Sequence, residues 1–188
     1  MNQKFDMVSA KQKERCMKIS WKPLLPIFFV FSSSSFAADT QCLTDKYQAY
    51  VNASISWYKQ LSDLATAHDS DLAEVSQWYV EERIHHFELN QLAVEYYLQS
   101  GSSKVNTALP VESWLQLSQQ DIKALTERSD ALGDAAKLSF EDRQRTPHTQ
   151  NYELRSAFAD ILSDPSAIAA PLDAYNSQVT AAAEISCD

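Results

Sequence analysis

Residues 43–68, LTDKYQAYVNASISWYKQLSDLATAH, and residues 72–99, LAEVSQWYVEERIHHFELNQLAVEYYLQ, decide the fold. In the first, Leu43, Tyr47, Tyr50, Ser54, Trp57/Tyr58, Leu61 and Leu64/Ala65 recur at steps of three and four, which gives a helix one buried stripe. Neither stretch contains Gly or Pro, so nothing interrupts roughly seven helical turns in each. Asp69-Ser70-Asp71 separates them, and Asp71 with Glu74 has the spacing of a capping pair. Gly101 follows the second stretch, where a left-handed C-terminal cap is wanted.

Working outward, residues 100–110 (SGSSKVNTALP) read as the longest loop. Residues 118–121 (SQQD) have the form of a capping box for a third helix, with Ile122, Leu125, Ser129, Leu132 and Ala136 in heptad register. The charged run 141–145 (EDRQR) ends it, and Thr146-Pro147 is a start signal for a fourth helix using Leu154, Ala157/Phe158 and Ile161/Leu162. Asp164-Pro165 repeats that signal for a fifth, with Ile168, Leu172, Tyr175, Val179 and Ala182 in register and Pro171 expected to bend or delay it. The fold class is therefore all-α, an antiparallel helical bundle.

The composition agrees. The chain has 188 residues, 45% hydrophobic and 11% aromatic, too apolar for a disordered segment and long enough for one core. Two glycines, Gly101 and Gly133, exclude a turn-dense β fold, a Gly-rich phosphate loop and a Gly-x-Ser-x-Gly nucleophile elbow.

Residues 1–37 read as an export signal. Lys11, Lys13, Arg15, Lys18 and Lys22 precede an apolar run at 24–31 (LLPIFFVF), and Ser35-Phe36-Ala37 suits a signal peptidase. Met17 opens a segment of more ordinary signal proportions and is a second candidate start. The apolar run is too short to span a bilayer, so no stable membrane insertion is expected after cleavage. Residues 38–188 are then a single helical domain, periplasmic or secreted. Cleavage removes six of the 16 basic residues but only Asp6 and Glu14 of the 25 acidic ones, leaving 10 against 23, a charge of −13. Such a surface repels phosphate backbones, which excludes nucleic acid as a partner.

Cys16 leaves with the signal, so Cys42 and Cys187 remain at the two ends and are expected to form a disulfide. Strict up-and-down order brings those ends together only for an even number of helices. Five helices therefore imply a four-helix-like core with one extra crossing helix.

The second helix carries the densest polar constellation. On a helical wheel Glu74, Gln77, Glu81, Glu88 and Glu95 share one face, which must be solvent. Opposite lie Leu72, Tyr79 and Tyr97, and among them Arg83, His86 and Asn90, with Glu82 beside them and His85 at the acidic edge. One reading is structural, a buried Glu82–Arg83–His86 network touching Asn90 and tyrosine hydroxyls. The other is a ligand site of Glu82, Arg83, His86 and Asn90, or a metal site of Glu82, His85 and His86, since Glu82-x-x-His85 has the spacing of carboxylate–histidine motifs in bundles. A second Glu-x-x-His is missing, because Ala65 and Arg145 precede His68 and His148 by three residues. His68 suits a helix C-terminal cation. No cofactor and no catalytic group is expected. The doublets Trp57-Tyr58, Trp78-Tyr79 and Tyr96-Tyr97 should each send one ring to the core and one to a further helix or a binding surface.

Length, export segment and helical content resemble those of several groups of small envelope proteins, including helical stress chaperones and immunity proteins, and no diagnostic motif of either stands in the chain. The functional expectation is an exported acidic protein that binds a protein partner in the bacterial envelope, of the inhibitor or immunity type. The alternative is a metal- or small-ligand-binding bundle using the Glu/His cluster.

Overall fold

The computed structural model describes residues 34–187; residues 1–33 of the expected export signal, and Cys16 with them, lie outside the described residues. Six helices account for the architecture: α1 (Ser34–His68), α2 (Ala73–Gln99), α3 (Gln119–Leu125), α4 (Ala131–Gln144), α5 (Asn151–Ser163) and α6 (Pro165–Glu184). The described residues form no strand, and Val105 and Leu115 make an isolated bridge across the loop after α2. Among the described residues no helix is long and apolar enough to cross a membrane.

α1 and α2 form an antiparallel hairpin. Tyr50 meets Phe87 (ring centroids 6.2 Å apart) while Tyr58, further along α1, meets the earlier Tyr79 (5.9 Å). The joint is tight because Asp69 Oδ1 accepts the Asp71 N–H at 2.9 Å and a 3-10 turn, Ser70–Leu72, leads into α2. Asp69 thus holds the capping position expected of Asp71. Gly101 adopts φ 63°, the left-handed cap its position after α2 called for.

Two apolar clusters form at opposite ends of this hairpin. Tyr47, Val51, Leu89 and Val94 meet Trp114, Ile122, Leu132 and Ala136 at one end. Leu61, Ala65, Leu72 and Val75 meet Leu154, Phe158, Ile161 and Ile168 at the other. α6 returns along α1 in the opposite direction, with Trp57 5.5 Å from Tyr175 and Cys42 bonded to Cys187 (Cα–Cα 5.5 Å). The Lys46 ammonium donates to the Ala183 and Ile185 carbonyls, both at 2.8 Å, and so satisfies the end of α6. Pro171 lies inside α6 without ending it.

The third expected helix is two. α3 opens on the capping box of Ser118 and Asp121, as its sequence indicated, but the chain breaks after Leu125 and restarts at Ala131. Asp130 accepts the Gly133 N–H at 3.0 Å and is held by the Arg128 guanidinium, so it caps a new helix instead of continuing the old one. Ser129, counted in the heptad, is exposed. Gly133 makes the break possible: a Cβ there would sit 2.3 Å from the Arg128 carbonyl oxygen. Gly133→Ala should therefore cost about 2 kcal/mol by overpacking, read as a shift in urea midpoint, although alanine normally favours a helix.

Thr146-Pro147 does not start the next helix. α5 begins at Asn151, because His148 is drawn onto α2, its ring 5.9 Å from Trp78 and its Nε2 3.7 Å from Glu74 Oε1, while its Nδ1 accepts the Gln150 N–H. Among the described residues six helices replace the expected five.

Candidate functional site

α2 presents Glu82, Arg83, His85, His86 and Asn90 on one side, and the last turns of α4 present Ser139, Asp142 and Arg143 in return, with Arg145 directly after the helix end. The opposite side of α2 is the acidic one: Glu74, Gln77, Glu81 and Glu88 are exposed, as the wheel required, and Glu95 is half-buried.

The polar side chains of α2 do not form the Glu82–Arg83–His86 network expected from their spacing. Glu82 accepts from Arg145 Nη2 at 3.3 Å, and the same guanidinium reaches Asp142 Oδ1 at 3.0 Å. His85 Nδ1 lies 2.8 Å from Asp142 Oδ2. Arg83 lies 5.4 Å from the Tyr79 ring centroid and 5.9 Å from that of Tyr58, in the range of cation–π contact. Its buried Nε has no hydrogen-bond partner. His86 Nε2 accepts from the Asn90 amide at 3.2 Å. Glu82 and His85 find partners across the α2–α4 interface, which a wheel of one helix cannot show, whereas His86 with Asn90 and Arg83 with Tyr79 are neighbours on α2 itself.

Burial, followed by the positive charges of Arg83 and Arg143, pushes the His86 imidazole down to about 4, so it is neutral at neutral pH. Burial raises the Glu82 carboxyl against the opposing pull of Arg145. Burial and then the nearby Arg83 charge lower Arg143, whose Nη1 donates to Gln119 Oε1 on α3 at 3.2 Å.

Glu82, Arg83, His86, Ser139, Asp142 and Arg143 line a cleft of about 310 Å³ between α2 and α4. A second hollow, about 440 Å³, shares His86 and Arg143 with it and is otherwise bordered by tyrosines of α1, Asn90 and the segment before α3. Three of the four candidate ligand residues thus meet at the first cleft, and Asn90 borders the second. Sequence reasoning missed Ser139, Asp142, Arg143 and Arg145. The available signal was the run at 141–145, which holds two of the ten basic residues of the chain after Ala37.

The metal triad is divided: His85 goes to Asp142, Glu82 to Arg145 and His86 to Asn90. Among the described residues no group of three or more His, Cys, Asp and Glu side chains is placed to hold a metal ion. Glu82 is partly desolvated, and its partner Arg145 has a side chain 40% exposed. Removing this carboxylate therefore leaves a cation that water can reach, unlike the sealed charge that the buried network implied. Glu82→Gln should cost no more than about 1 kcal/mol in chemical denaturation, against the roughly 3–5 kcal/mol of a sealed pair.

The aromatic doublets divide as expected, and every outward ring packs. Trp57 goes to Tyr175 of α6, Trp78 to His148 and Arg145, and Tyr96 lies under the Arg128 guanidinium at 4.2 Å. None is left as an open aromatic platform. His68 is exposed in the last turn of α1, where the helix dipole favours a cation.

Fold and cleft define a disulfide-closed, all-helical chain with a charged hollow between its second and fourth helices. Comparison with protein-family models, curated proteins and solved structures finds no match.

Proposed function

We propose that this chain is exported to the bacterial envelope, as a periplasmic or secreted protein, and works there by binding a protein partner in the manner of an inhibitor or immunity protein. The observation that carries this reading is a groove of about 460 Å³ lined by residues of α1 and α2 alone. Its floor is the half-buried Val80 and Ile84, and the exposed Ala73, Asp63, Glu81 and Lys59 stand on its rim. The exposed Glu74 and Glu88 continue the acidic row along α2. An apolar floor inside a carboxylate rim suits a partner surface with an apolar ridge and flanking Lys or Arg. An antiparallel four-helix-like arrangement of α1, α2, α4 and α6, with α5 crossing at the hairpin tip, supports this reading by giving the groove a stiff wall.

A benzophenone amino acid in place of Gln77 tests it in intact cells. The expected result is a cross-link to one protein with a basic contact surface. Cross-links that form only from a probe at Lys137, on α4, would contradict it.

A second reading, a ligand-binding bundle, is favoured by the α2–α4 cleft. Its small-ligand form has the support of a hollow bordered by Glu82, Arg83 and His86.

A further inference from the structure

We propose that the α2–α4 cleft binds a compact oxyanion, a phosphate or carboxylate group, between the guanidinium groups of Arg83 and Arg143. This rests on reading the cleft as a ligand site and is independent of the partner groove.

The argument begins with charge. The chain after Ala37 carries only 10 basic side chains against 23 acidic ones, yet Arg83 and Arg143 line this cleft and Arg145 pairs with its two carboxylates. The two carboxylates nearby, Glu82 and Asp142, are both taken by Arg145, and Asp142 also by His85. Neither Arg83 nor Arg143 has a carboxylate within salt-bridge distance among the described residues. Three guanidiniums against two carboxylates leave the cluster positive inside an acidic protein.

Both arginines line the one cleft and repel one another, and Arg143 is lowered first by burial and then by the Arg83 charge. Arg83 is held nevertheless, its guanidinium beside the paired rings of Tyr58 and Tyr79 and its buried Nε without a partner. An oxyanion between the two forks would supply the missing acceptor and relieve the repulsion, with charge-assisted and often bidentate hydrogen bonds. The Ser139 hydroxyl, 3% exposed, stands on the same wall. His86 remains neutral there, and because its Nε2 accepts from Asn90, its proton sits on Nδ1. A cleft of about 310 Å³ has room for a phosphate or carboxylate group of a small molecule.

The test uses the purified chain lacking residues 1–37, with inorganic phosphate and succinate as separate probes at an ionic strength matched with chloride. Calorimetry and NMR of the arginine side chains read binding. At least one probe is expected to bind and to shift the Arg83 and Arg143 signals; a response to phosphate alone or succinate alone names the class. Arg143→Gln, with its folding checked by far-ultraviolet circular dichroism, is expected to weaken binding at least tenfold. Lys137→Gln, on the exposed side of α4, should leave it unchanged. If neither anion binds while a neutral fragment mixture moves the same signals, the cleft is a ligand site and the oxyanion inference is wrong. If nothing moves them, both fall. Anion binding that survives Arg143→Gln would also overturn the proposal.

Discussion

Replacing Cys42 and Cys187 together by serine should destabilise the protein by about 5 kcal/mol and lower its Tm by about 10–20 °C. The bond joins residues 145 apart, so its loss releases nearly the whole chain in the unfolded state. On the folded side it ties the end of α6 to α1, where Lys46 already holds the last α6 carbonyls. Helicity should survive, because the two apolar clusters are built on the α1–α2 hairpin and neither contains the cysteines. Far-ultraviolet circular dichroism followed through a thermal melt reads both quantities. A drop in Tm of less than about 3 °C would mean that the termini are held together without the bond.

The second large effect is on pH dependence. Unfolded, His86 takes a proton below about pH 6.5, whereas in the folded protein it resists until about 4. Between those values the unfolded state binds more protons, so stability rises with pH and is lost on acidification. The loss amounts to about 3 kcal/mol between pH 7 and 4. Glu82 works the other way, since a raised carboxyl favours the protonated folded state as pH falls, and it offsets part of that loss. His86→Gln keeps an acceptor for Asn90 and cannot titrate. Urea midpoints of the two proteins should therefore diverge as the pH is lowered, with the variant losing less. Parallel curves from pH 7 to 4 would show that His86 is open to water.

Much of this architecture is legible in the residues, and the part that is not has a common cause. α1 and α2 announce themselves because a stripe at Tyr47, Tyr50, Ser54, Leu61 and Ala65 repeats over many turns and only a helix satisfies it. Ser118 with Asp121, Gly101 and Asp164-Pro165 are local signals, complete within a few residues, and each appears where it was read. The break between α3 and α4 escaped because Ser129 fits a heptad. The decisive facts were the Asp130 side chain turning to Gly133 and the Arg128 carbonyl needing the space a Cβ would fill. Thr146-Pro147 lost its role to His148, which is held by Trp78 and Glu74, 70 and 74 positions earlier.

The candidate site shows the same division. Glu82, Arg83, His86 and Asn90 were found from one helix, but their partners were assigned to one another. Arg145, Asp142 and Arg143 arrive from α4, and they convert an imagined closed network into an open cleft with a positive balance. Local spacing tells which side chains share a face. It carries no information on what the facing helix offers, and here that helix holds the two arginines that change the chemistry.

Binding through the α1–α2 groove is tested most directly by the affinity of the purified chain for the protein cross-linked at Gln77. Asp63→Lys with Glu81→Lys reverses the rim, and Glu127→Lys with Glu141→Lys makes the same charge change on α4 and the segment before it. The rim variant should bind at least tenfold more weakly, chiefly through slower association, and the second pair should bind nearly as the parent does. Equal affinity of the rim variant and the parent would contradict the account.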